Sequence, residues 1–389
     1  MNYNGDSYKL HYDVLEQQIN FEGTLRPYNY KETHSIMNFM KDIHNKSEGT
    51  LKLNFRKLRY INSNAIGIII NFIKYAKKED KIKLKLIGSN VLTWENKTLP
   101  NLTKIWEKLN FEIYDQHFYE SQDIIEDDEF IPLLKNQTRL LWPHEKEVLS
   151  SMGLKRGMKV ADICCGCGDL SLLLAREFNP AIVVGIDHSV PGIEHAKKLQ
   201  KDLGVKNAEF HLGDATALMI DDESFDFVLC RLSIQIFSKP EQILKELYRI
   251  TKRNGRIYLL GEDYDLIIGH PNDEQIRSVY DKAGKYGTDM GMDLYNGKKL
   301  YTILKDMKLD DIKINPIIVD TSNSDRELFT NMIKSWKKFS VYTIGDTLNI
   351  GEDKKEDLLK GYEAHIRTIN HPHGYTTWSL IAGSGVKKE

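Results

Sequence analysis

The sequence predicts two α/β domains, the larger built on a parallel sheet with helices on both faces. Three observations carry this reading. At 389 residues the chain is long for one domain. Apolar, β-branched stretches alternate with amphipathic ones along both halves. Between the halves lies "YESQDIIEDDEFIP", residues 119–132, acidic and weakly periodic. It reads as the core of a linker over 119–136, which leaves domains of 1–118 and 137–389.

In the first domain "QQINFEGTL" reads as a strand. The helix that follows, "ETHSIMNFMKDIH", puts Ile36, Phe39, Met40 and Ile43 on one face. "GTLKLNFRKL" alternates Leu51, Leu53 and Phe55, which is a strand. "SNAIGIIINFIKYAKKED" opens on a capping Ser or Asn and runs as a helix into charge. "KIKLKLIGS" alternates again, and "LTKIWEKLNF" reads as a short closing helix.

In the second domain strands are expected at "MKVADIC", "AIVVGID", "AEFHLGD", "FDFVLCRLS" and "GRIYLLGED". Helices are expected between them, at "LSLLLAREF", "PGIEHAKKLQKDLG" and "PEQILKELYRITKR". Apolar strands alternating with such helices belong to parallel sheets covered on both sides. These sheets bind ligands beyond the carboxyl ends of their strands, where strand order reverses.

The chain carries 54 Lys and Arg against 56 Asp and Glu, a net charge of −2. That balance gives no electrostatic case for nucleic acid or an anionic membrane as partner. The start, "MNYNGDSYKLHYDV", lacks the basic and apolar regions of a signal peptide. The longest apolar cluster, "AIGIIINFI", is too short to span a bilayer. Four cysteines are no disulfide framework for such a chain. A soluble, cytoplasmic protein is expected, and its surplus of Lys, Ile and Asn fits an AT-rich bacterial genome.

Three of the cysteines fall in "VADICCGCGDLS", residues 160–171, at the end of the first strand of the second domain. A zinc or iron–sulfur site needs thiolates spaced to converge on one ion. Adjacent Cys164 and Cys165 converge poorly, and there is no second Cys pair. A redox role rests on Cys167, close to a helix start that would lower its pKa. The plain alternative is three small residues filling a tight turn.

That turn has the plan strand, glycine turn, helix. Gly166 and Gly168 let the backbone bend and approach a ligand. Asp187, 19 residues after Gly168, ends the next strand, where it can accept from both hydroxyls of an adenosine ribose. Asp214 ends a third strand, where an adenine ring would rest. Asp162 and Asp169 flank the turn and Ser171 replaces the third glycine of a dinucleotide fingerprint. Two carboxylates repel pyrophosphate but suit the sulfonium and ammonium of S-adenosylmethionine. No Walker pattern is present, which counts against that kind of ATP site. Asp187 and Asp214 also have local readings as turn or helix-capping residues.

"VADICCGCGDLSLLL", "VVGIDHS", "HLGDAT", "FDFVLCRLSIQIF" and "LYRITKRNGRIYLLGED" resemble, in order and spacing, the motifs of class I S-adenosylmethionine-dependent methyltransferases. The resemblance is firm over about 140–265. "NGKKLYTILKDMKLDDIKINPIIV" and "TTWSLIAGSGVKK" resemble that family's last helix and closing antiparallel strands. It implies a seven-stranded Rossmann-like sheet and S-adenosylmethionine as cofactor. Cys164 stands where the family usually has its first glycine. Carried over by position, the resemblance puts Asp162, Cys164, Gly166 and Gly168 near the methionine moiety, and Asp187 with His188 at the ribose. Asp214 and Ala215 fall at the adenine, and Arg231 lines the methyl-transfer chamber. Arg231 also has a plain structural reading.

Two insertions in that family pattern, about 270–310 and 321–374, are helical by pattern and are expected to fold over the carboxyl edge as a lid. They and the strands beside them supply Tyr264, Tyr295, Trp336, Tyr342 and Tyr375, each also readable as packing. "HIRTINHPHGY" holds His365, His371 and His373, which read as metal ligands, as a base or substrate contact, or as solvated loop. No catalytic residue is fixed; Arg231, His365, His373 and Tyr375 are the candidates. The Asp-Pro-Pro-Tyr type of motif is absent after the fourth strand, where "CRLSIQIF" stands. Its absence counts against a nucleic-acid acceptor, and a small molecule is expected.

"LKLNFRKLRYINSNAIGIIINFIKYAKK" resembles the STAS family of anti-sigma-factor antagonists over roughly 15–115. Ser63 takes the place of that family's phosphorylated serine, and Gly67 fits a later glycine. Asn62, Asn64 and Ala65 depart from the pattern. The resemblance implies a module that binds a protein partner; the residues alone read as a capped helix or a structural appendage. The leading expectation is a small-molecule methyltransferase. A regulatory protein that senses S-adenosylmethionine and a protein methyltransferase are the alternatives.

Overall fold

The computed structural model describes residues 1–5, 8–27, 29–89, 93–114 and 127–388. The chain divides into two compact units, Met1–Ile124 with Thr343–Gly351, and Ile125–Tyr342 with Glu352–Glu389. The short excursion around 343–351 departs from the contiguous 137–389 of the sequence reading. Nothing in "TIGDTLNIG" marks it beyond the glycines.

The first unit holds a six-stranded sheet of β1 (Asn2–Asn4), β2 (Tyr8–Asp13), β3 (Gln18–Leu25), β4 (Thr50–Ile61), β5 (Lys83–Ser89) and β6 (Asn110–Tyr114), in sequential order. β1 to β3 pair antiparallel, and β3 to β6 pair parallel. Helices α1 (Tyr30–Lys46), α2 (Ser63–Glu79) and α3 (Thr93–Leu102) make the crossovers. Right-handed crossovers that all step the same way keep their helices on one face. Ile36, Met40 and Ile43 of α1 share a core with Ile68, Ile69 and Phe72 of α2 and Leu51, Leu53 and Phe55 of β4.

Several elements here differ from the sequence reading, and β1 and α3 have no counterpart in it. β2 was not anticipated, although "YKLHYD" alternates with Tyr8, Leu10 and Tyr12 buried. The helix expected over "LTKIWEKLNF" is instead a 3-10 turn, Thr103–Ile105, followed by β6. Buried Trp106 and Leu109 anchor that turn, and their spacing imitates a helical face.

The second unit opens with α4 (Asp127–Ser151), so the later part of the expected linker is helix. Pro132 and Pro143 inside α4 obscure its signal in the sequence. Its sheet comprises β7 (Lys159–Ile163), β8 (Ile182–Asp187), β9 (Ala208–Leu212), β10 (Phe225–Arg231), β11 (Thr251–Glu262), β12 (Gly269–His270), β13 (Asp310–Asp320) and β14 (Tyr375–Val386). The order is β12-β14-β11-β10-β7-β8-β9, with β13 on β14. β9, β8, β7, β10 and β11 are parallel, and β14 runs antiparallel to β11. The order therefore reverses between β7 and β10, which sets a ligand crevice at their carboxyl ends.

Helices α5 (Asp169–Glu177), α6 (Val190–Leu203), α7 (Pro240–Ile250) and α9 (Leu300–Asp306) connect the strands. The insertions add α8 (Asp273–Asp289), α10 (Arg326–Lys338) and α12 (Glu352–Asn370), with α11 (Gly345–Leu348) in the first unit. α12 packs on α8, α10 and the start of β14. Glu262, the last residue of β11, pairs with Leu380, so the start of β14 lies beyond the carboxyl end of β11. Among the described residues no helix is long and apolar enough to cross a membrane.

Candidate cofactor and acceptor site

Between Ile163, which ends β7, and Asp169, which starts α5, the backbone enters the left-handed region three times. Cys164 has φ 62°, Gly166 56° and Gly168 80°. A Cβ on Gly168 would meet Ala196 Cβ at 2.6 Å and Phe210 Cε1 at 2.8 Å. A Cβ on Gly166 would meet Leu134 Cδ1 at 2.8 Å. Gly168 is thus favoured by dihedral and by space, and Gly166 by dihedral, since the tip of Leu134 can move aside. Cys164 alone bears a side chain in that conformation, at a cost of about 1–2 kcal/mol. Cys164→Gly removes the strain and loses the contact of its thiol with Cys230. The two effects oppose, and thermal unfolding is expected to place the variant within about 1 kcal/mol of the parent. A large loss would show that the thiol holds something.

The redox reading of Cys167 is corrected by its surroundings. Burial and the neighbouring Asp169 push the thiol up, the opposite of activation at a helix start. Its Sγ donates to Asp169 Oδ2 at 3.1 Å. Burial likewise raises Cys165. Among the described residues no group of three or more His, Cys, Asp and Glu side chains is placed to hold a metal ion.

Asp162, near the end of β7, is 1 % exposed. Burial pushes its carboxyl up to about 7, against the opposing hydrogen bond of Ser171 and the charge of Arg231. Ser171 Oγ donates to Asp162 Oδ2 at 2.5 Å. In the sequence Ser171 was only a missing glycine; in the structure it orients a buried acid.

Asp187 closes β8 and is also buried. Its Oδ2 accepts from the Gly166 N–H at 2.8 Å, and its Oδ1 from the Ser189 N–H at 2.9 Å. His188 Nδ1 lies 3.4 Å from the same Oδ1. One carboxylate therefore holds both the glycine turn and the entry to α6. Asp214 follows β9 and is exposed, its Oδ1 accepting from the Thr216 N–H and hydroxyl at 2.8 and 2.7 Å. Ala215 beside it is buried.

Arg231, at the end of β10, reaches back to α4. Its Nε lies 2.9 Å from Oε2 of Glu145, and the two side chains are 8 % and 0 % exposed. Arg231 Nη1 donates to Thr138 Oγ1 at 2.9 Å, and Tyr258 donates to Glu145 Oε1 at 2.9 Å. Burial raises the Glu145 carboxyl, opposed by the guanidinium and the tyrosine. The Nε–Oε2 contact is an ion pair without hydrogen-bond alignment, and Arg231 Nη2 is buried with no partner. Glu145 escaped the sequence reading, which had no reason to seek a site residue in so weakly marked a helix.

At the carboxyl end of β11, Glu262 is buried beside an aromatic cluster. Gln235 Nε2 donates to its Oε2 and the Glu262 N–H donates to Gln235 Oε1, both at 3.1 Å. Burial pushes this carboxyl up to about 7. Tyr264 and Trp336 join Tyr280, Tyr362 and Trp378 in tilted and edge-on contacts with centroids 5.1–6.0 Å apart. Tyr295 packs on Tyr264, whereas Tyr342 is exposed.

The four catalytic candidates do not meet. His365 is fully buried, its Nδ1 2.7 Å from the Tyr280 hydroxyl and its Nε2 2.9 Å from Thr376 Oγ1. Burial lowers its pKa to about 3, so the ring is neutral. Tyr375 projects from the other side of β14, is exposed and donates to Asp320 Oδ2 at 3.2 Å. His373 is exposed beside His371, whose Nδ1 accepts from its backbone N–H.

Residues 154–308 match the family model described as a methyltransferase domain. Relatives include a demethylmenaquinone methyltransferase of Listeria welshimeri, 32 % identical over 29 % of this chain and 48 % of that protein. One of Bacillus cytotoxicus is 31 % identical over 36 % of this chain and 57 % of that one. The chain spans about half the length of the curated relatives it matches. Among solved structures, it is similar to the geranyl diphosphate C-methyltransferase of Streptomyces coelicolor, at 13 % identity over 64 % of this chain and 78 % of that one, TM-score 0.38. The chain joins a methyltransferase-type domain to a separate N-terminal α/β domain.

Proposed function

We propose that this protein transfers the methyl group of S-adenosylmethionine to a small-molecule acceptor. The observation that carries the reading is the pair of buried carboxylates around the turn at the switch point, Asp162 and Asp187. A crevice lined by two acids suits a cationic cofactor and repels a pyrophosphate. Asp162, once ionised, would pair with the ammonium, and the unpartnered Nη2 of Arg231 would receive the carboxylate of the same amino-acid end. Asp187 keeps lone pairs for the ribose hydroxyls, with His188 alongside. Cys164, Gly166 and Gly168 would form the floor, and Asp214 with Ala215 the adenine end.

The chain's part in the reaction is to align the acceptor with an already activated methyl and to exclude water. The names of the relatives make a quinone-type ring one acceptor to try. The first unit supports the finer reading of a STAS-like partner-binding module in one respect. Asn62 caps α2 through the Ala65 N–H at 2.9 Å and leaves Ser63 exposed at its first position. The lid expected over the carboxyl edge belongs to the same reading.

Titration with S-adenosylmethionine tests the cofactor assignment. Asp187→Ala is expected to weaken affinity at least tenfold, about 1.4 kcal/mol or more, since it removes a charged acceptor from two ribose hydrogen bonds. Unchanged affinity in a folded variant would sink the ribose assignment. Labelled methyl should enter a fraction of small metabolites. Label on a polypeptide band would favour a protein acceptor, and binding without any transfer would favour a sensor.

A further inference from the structure

The helical layer of the second unit contains a groove that the cofactor reading does not use. It measures about 150 Å³ and is lined by α4, α5 and α6. From α5 come Asp169, Leu172, Leu173 and Arg176, at i, i+3, i+4 and i+7, a single helix face. Leu199 and Leu203, one turn apart, line it from α6, and Thr138 and Arg139 from α4. Leu172 is buried, whereas Leu203 is 46 % exposed. A helix joining parallel strands runs back toward their amino ends. Arg176 and Leu203, near the ends of α5 and α6, therefore lie away from the carboxyl edge that holds the glycine turn. Asp169 and Thr138, which accepts from Arg231, mark the end nearest the crevice.

The groove also carries uncommitted cations. Arg139 and Arg176 make no hydrogen bond or ion pair among the described residues. Glu177, beside Arg176, is engaged instead by Trp142 and Lys146 of α4. Leu134 of α4 lies against the glycine turn and Trp142 against the end of α5, so α4 runs alongside α5 in the same direction. Arg139 falls between those two points, beside the stretch from Leu172 to Arg176. Asp169 stands at the turn end, its Oδ2 already accepting from Cys167 Sγ. The four leucines thus share their groove with two guanidiniums, and Asp169 leaves a formal excess of one positive charge.

We propose that this groove binds a short apolar carboxylate, its hydrocarbon on the leucines and its head between Arg139 and Arg176. A guanidinium fork matches a carboxylate with two parallel hydrogen bonds. One negative charge balances the groove, whereas the second charge of a phosphate monoester would meet Asp169. A cavity of this volume takes a single benzene-sized group, about six carbons. The site goes beyond the methyltransferase reading and does not depend on it.

The test titrates the full chain at neutral pH with hexanoate, hexanol, hexylamine and hexyl phosphate. Hexanoate is expected to bind roughly tenfold or more tightly than the alcohol and the amine, and more tightly than the phosphate. Arg139→Gln and Arg176→Gln, both at exposed positions, should each weaken hexanoate about tenfold and leave hexanol unchanged. Leu203→Ser should weaken hexanoate and hexanol alike. The proposal is overturned by no saturable binding of hexanoate, by equal or tighter binding of any of the other three, or by full hexanoate affinity in the folded double arginine variant. Saturating S-adenosylhomocysteine is expected to leave hexanoate bound, and competition between the two would place the anion in the crevice and overturn the groove. Failure of S-adenosylhomocysteine to bind would strike the cofactor reading instead, since the hexanoate titration stands without it.

Discussion

Replacing Arg231 by Met is expected to lower the stability of the second unit by about 3–5 kcal/mol at pH 8, the usual cost of stranding one half of a buried ion pair. Glu145 is fully buried against that guanidinium, and only Tyr258 would remain to it. Its carboxyl, already raised by burial, would rise further without the cation. The stranded acid then binds a proton that the unfolded chain releases above about pH 4. Its folded form therefore loses stability as pH rises through that window, and the deficit of the variant should shrink toward pH 5. Urea midpoints at pH 5 and pH 8 measure this. The double variant Glu145→Leu with Arg231→Met should recover most of the loss, because two apolar side chains avoid the stranded charge. A single variant as stable as the parent at pH 8 would show that the pair is not buried as described.

Gly168→Ala carries the other large effect. The added methyl would lie 2.6 Å from Ala196 Cβ and against the ring of Phe210, in a residue with φ 80°. The left-handed conformation costs about 1–2 kcal/mol and the overpacking about 1–3, so a loss of roughly 2–5 kcal/mol is expected. Adding Ala196→Gly should relieve the contact with Ala196 and leave the Phe210 ring contact and the dihedral penalty. Calorimetric melting of the single and double variants is expected to show partial recovery only. Equal melting of Gly168→Ala and the parent would mean the turn has another conformation.

Much of the second unit was legible because its signals are local. Each β–α repeat writes an apolar strand, a turn and an amphipathic helix into consecutive residues. Asp162 and Asp187 stand at strand ends, so position alone singled them out. What the sequence hid depends on contacts far along the chain. Glu145 and Arg231 are 86 positions apart and meet only because α4 lies over the end of β10. Trp378 comes beside Glu262 because β14 pairs antiparallel with β11, Leu380 opposite Glu262, a relation no spacing reveals. Ser171 registered as a missing glycine because a fingerprint records what is absent, not what the replacement does. In the first unit, the strand β6 was masked by Trp106 and Leu109, whose interval suits a helix as well as a turn.

The carboxylate of Asp187 is shared between a turn after one strand and the first residues after another. Because it already grips both backbones, the shape that would receive a ribose is set before any ligand arrives. A molecule entering there has little chain to order, so less of its interaction energy is absorbed by immobilising the protein. The same arrangement makes that oxygen pair a junction. Whatever draws on one of its lone pairs is registered at once by Gly166 and by Ser189, on two separate crossovers of the sheet.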